Sequence, residues 1–382
     1  MSDAPGPPNP FGGFDLNEML RFLQSEGPVQ WELARQVAHW VALDGGTEAP
    51  PEADEARRLA EVAAAAEARV LAETGTPPAT AHIATLGRAQ WAEGALESLR
   101  PVLERLATTL VASQAEAPEG AGPLGPMMGA VGPLLCGIQC GFMVGQLAQG
   151  LLGQHDLMLP TQGTPRPAFV VPNVGAFGQD WSLPADDLRF YLALSEAVRS
   201  RVCALEWVQA RLVRLACDYV GSFRVDPAAL EAELGSIDLA DPASFEQLLR
   251  RPGALLGAMQ SESQLAVLDR LVHTTAVLES YADSVVERVG GALLPSLGLI
   301  REAIHRRRAE RSDADRFLYQ LLGIDPSRTA HTTAEAFCAG VVERAGSAGL
   351  DRLLSGEDLL PTPSELEAPG LWLARIDLPG AT

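Results

Sequence analysis

The stretch that decides the fold is Pro184-Ala-Asp-Asp-Leu-Arg-Phe-Tyr-Leu-Ala-Leu-Ser-Glu-Ala-Val-Arg-Ser-Arg-Val-Cys203. Pro184-Ala-Asp-Asp is an acidic helix start, because carboxylates near the first turn complement the free N–H groups and the helix dipole. The apolar run that follows predicts a helix to about Cys203, and a second helix to about Tyr219. Within the first helix, Leu194-Ser-Glu196-Ala-Val-Arg199 sets an acid and a base among apolar residues. A second segment of the same kind is Leu278-Glu279-Ser-Tyr281-Ala-Asp283. It lies on a long amphipathic helix expected from a capping box at Ser261-Glu-Ser-Gln264 to about Val289, ended by Gly290-Gly291 and Pro295.

Outward from these segments the chain reads as mainly α, with little β structure. Ala, Leu, Glu and Arg dominate, and β-branched and aromatic residues are sparse. Residues 1–14 are rich in Pro and Gly and are expected to be a disordered tail. Residues 15–112 read as an N-terminal helical region, with helices near Trp31–Leu43 and Glu55–Glu73. A linker is expected at 113–128. Residues 129–382 form the remaining helical region, read as one compact unit with 15–112. Pro160, Pro165, Pro167 and Pro172 surround Ala168–Val171, which suits an extended segment or a small β element. No internal repeat of fixed period is visible.

From Gly120 to His155 the chain carries no Asp, Glu, Lys or Arg. Leu134–Gly153 is long enough to span a bilayer. Gln139, Gln146 and Gln149 cluster on one side, however, and flanking basic residues and aromatic belts are absent. Gly137, Gly141, Gly145 and Ala148 line another side, the pattern of two helices in close approach. A buried central helix is therefore expected, not a membrane span. Cys136 and Cys140 share a face of it and are expected to pack as small hydrophobes, not to hold a metal.

The formal net charge is −20, and every basic residue is Arg. Such a field disfavours nucleic acid and anionic lipid as partners. Five cysteines without a CxxC pair argue against a disulfide framework or structural zinc. The start of the chain has neither the basic nor the apolar region of a signal peptide, so a cytoplasmic location is expected. No two of the six histidines, His39, His82, His155, His273, His305 and His331, make a local metal motif. His305-Arg-Arg-Arg308 is the one dense basic run, expected to be a solvated face or a partner for acidic surface. Nothing matches a phosphate loop, nucleophile elbow or dinucleotide fingerprint.

Several pieces in order resemble the zinc-dependent metalloprotease-like family of actinobacteria, part of which is named for association with deazaflavin coenzyme biosynthesis. They are Asn9-Pro-Phe-Gly-Gly-Phe, Gly27-Pro-Val-Gln-Trp-Glu-Leu-Ala-Arg35, Tyr191-Leu-Ala-Leu-Ser-Glu-Ala-Val, Val277-Leu-Glu-Ser-Tyr-Ala-Asp, Arg306-Arg-Arg, Leu321-Leu-Gly-Ile and Leu359-Leu-Pro-Thr-Pro-Ser-Glu-Leu. The resemblance implies a zincin-like multi-helix architecture and, in intact members, zinc held by HExxH. Two imidazoles four residues apart bind the metal, and the Glu between them polarises its water. Here those positions read Ser195-Glu196-Ala197-Val198-Arg199, so only Glu196, the general-base position, matches. Glu279 and Asp283 match the later helix, with Tyr281 where some relatives carry His.

Ser195 is a poor ligand, and Arg199 offers no lone pair and carries a positive charge. No cofactor is expected, and Glu196 becomes vestigial. Arg199 is expected to lie between Glu196 and Glu279 as a structural cation. Three functions follow as expectations. The first is a family member without zinc or peptidase activity, acting by binding an unknown protein or peptide. The second is an active hydrolase using unseen ligands, or carboxylates Glu196, Glu279 and Asp283 alone. The third is a helix-pairing or membrane-associated module built on Leu134–Gly153.

Overall fold

A computed structural model describes residues 27–51, 53–78, 82–115, 124–163, 166–223, 262–309 and 328–378. The described helices are α1 (Trp31–Ala42), α2 (Ala53–Thr74), α3 (Arg88–Ser98), α4 (Arg100–Ala115), α5 (Leu124–Gly150), α6 (Val171–Asp180), α7 (Ala185–Cys203), α8 (Glu206–Gly221), α9 (Glu262–Gly290), α10 (Leu297–Ala309), α11 (Arg328–Asp351), α12 (Pro363–Glu367) and α13 (Pro369–Ile376). Two three-residue strands, β1 (Ala84–Leu86) and β2 (Ala168–Val170), pair in parallel, with Thr85 opposite Phe169. The chain is mainly helical, as composition implies. The tail at 1–14, the N-cap at Ser261 and the Leu321 piece lie outside the described residues.

α7 is the central helix. From Tyr191 to Cys203 only Ser195 is more than slightly exposed. A helix buried on every side must be covered by others. α2 and α9 do this, and α9 also packs on α8 and α11. Arginine–carboxylate pairs fix the contacts. Arg189 forks onto Glu55 through two bonds of 2.8 Å, Arg201 reaches Glu67 at 2.6 Å, and Arg288 reaches Glu73 at 2.9 Å. These place α7 and α9 against α2.

The uncharged segment folds as α5, and its glycine stripe lies on α1. A methyl group at Gly141 would sit 2.3 Å from the Ala34 carbonyl oxygen and 2.8 Å from Val37 Cβ, so only a hydrogen side chain permits this approach. Gln30 N–H donates to the Pro133 carbonyl, and Gln149 donates across the interface to the Val41 carbonyl. Among the described residues no helix is long and apolar enough to cross a membrane. Cys136 and Cys140 are buried, and burial pushes the Cys136 thiol up to about 11.

Two local expectations need correction. β1 falls within the block read as helical, because a three-residue strand carries no period of its own. Ala168–Val171, read as an extended segment or a small β element, does carry β2, and the residues after it form α6, since Pro172 stands in its first turn, where the missing N–H costs nothing. The linker expected at 113–128 is helical at both ends: α4 runs to Ala115 and α5 opens at Leu124.

Candidate functional site

The polar centre of the molecule begins at Glu196, which is 3 % exposed. Its carboxylate accepts three N–H donors: the His155 ring through Nδ1 at 2.8 Å, the His155 backbone at 3.1 Å and the Ala168 backbone at 3.0 Å. Glu196 thereby staples the 151–156 loop, which follows α5, to the start of β2. Gly153 is required here, because a side chain would meet Glu196 Oε2 at 2.7 Å and the Ala168 carbonyl at 3.1 Å. His155 is itself 4 % exposed, and its Nε2 has no hydrogen-bond partner among the described residues.

One turn further along α7, Arg199 is 2 % exposed. Nη1 donates to the carbonyls of His155 and Asp156, and Nη2 donates to Asp283 Oδ1 at 3.0 Å. Burial works against the guanidinium charge, but Asp283, Glu279 and Asp156 outweigh it and hold Arg199 above its usual range. The arginine is thus a permanent buried cation. Asp156 in turn accepts from the Leu152 N–H at 3.0 Å and from Arg307 at 2.7 Å. Arg307 also donates to the Gly150 carbonyl and lies 5.2 Å from the Phe177 ring.

The centre continues into α11. His331 Nε2 lies 3.5 Å from Asp283 Oδ2 and 3.5 Å from Glu335 Oε1, while Nδ1 lies 4.0 Å from Glu279 Oε2. The His305 ring packs edge-on against it at 6.3 Å between centroids. Burial alone would lower the pKa of His331, but Asp283, Glu335 and Glu279 raise it to about 9. Glu335 is lowered, first by its bond to His331 and despite partial burial. Asp283 and Glu335 thus approach one nitrogen of the imidazole and Glu279 the other. Among the described residues no group of three His, Cys, Asp or Glu is arranged to hold a metal ion.

The expected residues therefore come together, with different partners. Ser195, Glu196 and Arg199 lie on α7, and Glu279 and Asp283 face them from α9. Arg199 is bonded to Asp283 and two loop carbonyls, whereas it was expected between Glu196 and Glu279. Glu196 already has its donors from the loop and β2, and so does not need the arginine. Tyr281 is 3 % exposed and donates to Asp351 at 2.8 Å, away from these groups. The basic run divides: Arg306 pairs with exposed Glu302, and Arg307 serves the loop.

Sequence reasoning missed His155 and His331. His155 lies 41 residues from Glu196 and His331 lies 48 residues from Asp283, so no spacing rule joins them to the acids of α7 and α9; Glu335, four residues on from His331, is the one partner at helical spacing. The signal available for His155 was its place at the end of a long uncharged run, where a lone titratable group needs a buried partner.

A family model described as zincin-like metallopeptidase matches residues 29–373. A solved structure titled "a putative hydrolase with a novel fold", from Chloroflexus aurantiacus, is similar to this chain at a TM-score of 0.61 and 24 % identity. The match covers 92 % of this chain and 100 % of that one, and at this identity it speaks to the fold alone. No curated protein sequence matches.

Proposed function

We propose, from the premise that this chain belongs to the zincin-like metallopeptidase family, that it has lost zinc binding and peptidase activity and acts as a non-catalytic binding protein for a protein or peptide. The residues present do not fit a zinc ion. A zincin site needs two lone-pair donors four apart on one helix, and a carboxylate free to reach the zinc-bound water. Ser195 is a weak donor, and Arg199 is a cation with no lone pair. No hydrolytic step through zinc is derived for this chain.

The observation that carries the reading is the engagement of Glu196. A general base must take a proton from a water within hydrogen-bond reach. The Glu196 carboxylate is enclosed and already accepts two backbone N–H groups and an imidazole. It supports the loop and β2, so freeing it for a water would undo that junction.

Elemental analysis of purified, tag-free protein, before and after incubation with zinc and dialysis, tests the loss of metal. The expected content is near zero, and stoichiometric zinc would overturn the reading. A casein digest passed over immobilised protein tests the remaining function. Peptides retained without new cleavage support a binding protein, cleavage products overturn it, and passage of every peptide unbound removes the peptide-binding part.

A further inference from the structure

We propose that Arg199 is a resident cation that organises the polar centre of this fold as a metal ion organises its ligands, holding the 151–156 loop and α9 on α7. The proposal rests on the metal-free reading above, but not on the loss of activity. Three oxygens from two separate chain segments meet this one guanidinium: His155 O and Asp156 O from the loop, and Asp283 Oδ1 from α9. Its base, Arg199, stands on the central helix, and the side chain is 3 % exposed. Convergence of oxygens from distant segments on a buried positive charge is what a structural cation achieves. A planar fork can do it with fixed directions where a sphere uses coordination geometry.

The loop is held by the burial of Leu151 and Leu152 and by hydrogen bonds. Leu152 N–H bonds the Asp156 carboxylate, Gln154 N–H bonds Ala168 O, Val170 N–H bonds Leu152 O, and Asn173 Nδ2 donates to Leu151 O. To these are added Glu196 below, Arg199 at its His155 and Asp156 carbonyls, and Arg307 on the Asp156 carboxylate. Arg199 differs from Arg307 in depth and reach. Arg307 grips the loop from α10 at a partly exposed site, whereas Arg199 also reaches α9. Removing Arg199 takes a counter-charge from Asp283, which lies in a cluster with Glu279, Glu335 and His331, and takes a donor from the His155 and Asp156 carbonyls.

Thermal unfolding and amide exchange of Arg199→Leu, Arg199→Lys, Asp283→Asn and the double Arg199→Leu/Asp283→Leu variant test this, each with and without zinc. Arg199→Leu should lower Tm by roughly 4–6 °C. It should also speed exchange at the Leu152, Gln154 and His155 amides about tenfold or more. Arg199→Lys, which keeps the charge and loses the fork, should fall between. The double variant should be more stable than Arg199→Leu, since no buried charge is stranded at 283. If Arg199→Leu does not fold, the Arg199→Lys and Asp283→Asn losses, with loop exchange, decide the matter.

A wild-type-like Tm and loop exchange in Arg199→Leu, or in both milder variants, would overturn the resident cation while leaving the metal-free reading intact. A rise in wild-type Tm on adding zinc would instead overturn the metal-free reading.

Discussion

Two helix contacts in this molecule are made by opposite means. α1 and α5 meet through the absence of side chains: Gly137, Gly141 and Gly145 let backbone approach backbone, with Gln149 closing one end. α7, α9 and α11 meet through charge, with Arg199, Asp283, His331 and Glu335 strung across the seam. The first contact tolerates no added atom and responds little to pH or salt. The second tolerates changes of shape better than changes of charge, because its stability depends on every buried ion having a counter-ion. The charged seam therefore holds only while its buried charges stay balanced among themselves.

The sharpest way to break this comparison is at the charged seam. Arg199→Leu should cost about 3–5 kcal/mol in denaturant unfolding, the range for stranding a buried partner. At the glycine seam, Gly141→Ala should cost up to about 3 kcal/mol, because the new methyl meets the Ala34 backbone, which cannot swing aside. Equal costs in low and high salt are expected for Gly141→Ala. A cost that depends strongly on salt would show that the two seams are coupled.

The pH dependence separates them further. His331 is raised to about 9. Its folded-state protonation therefore adds stability that is fully present below about pH 6.5 and is lost as pH rises through 9. The expected loss is on the order of 2 kcal/mol after discounting for partial solvent contact. Unfolding measured from pH 6 to 10 should show this decline in wild type and not in His331→Gln. A parallel decline in His331→Gln would place the titration elsewhere.

The smallest effect is expected at the surface. Glu302 and Arg306 are both exposed and four apart on α10, so Glu302→Ala should change stability by only a few tenths of a kcal/mol. A loss several times larger would mean that exposure is a poor guide to how this chain uses its arginines.

Legibility differed in the same way between the two seams. The glycine stripe could be read because a spacing of four residues on one helix is local information, and α5 followed from it. The helix start at Pro184 and the acidic segments on α7 and α9 were also legible. The staple at Glu196 was not. It joins residues 153–156, 168 and 196, and its histidine looked like any isolated imidazole. The seam of Arg199 was half legible: resemblance put a cation near carboxylates, and the choice of Asp283 over Glu196 came from where the loop placed its N–H groups.

By itself the sequence determined the helical class, a close helix contact on the glycine side of α5, the uncharged but non-spanning character of that helix, and the acidic and basic side chains set among apolar ones on α7 and α9. These are properties of composition, period and side-chain chemistry, which do not depend on distant parts of the chain. Only the tertiary structure decided which carboxylate the arginine would meet, that Glu196 would be enclosed by His155 and Ala168, and that His331 would sit among three carboxylates. Those outcomes depend on which donors and acceptors are brought within about 3 Å of one another, and that is settled by the packing of segments tens of residues apart.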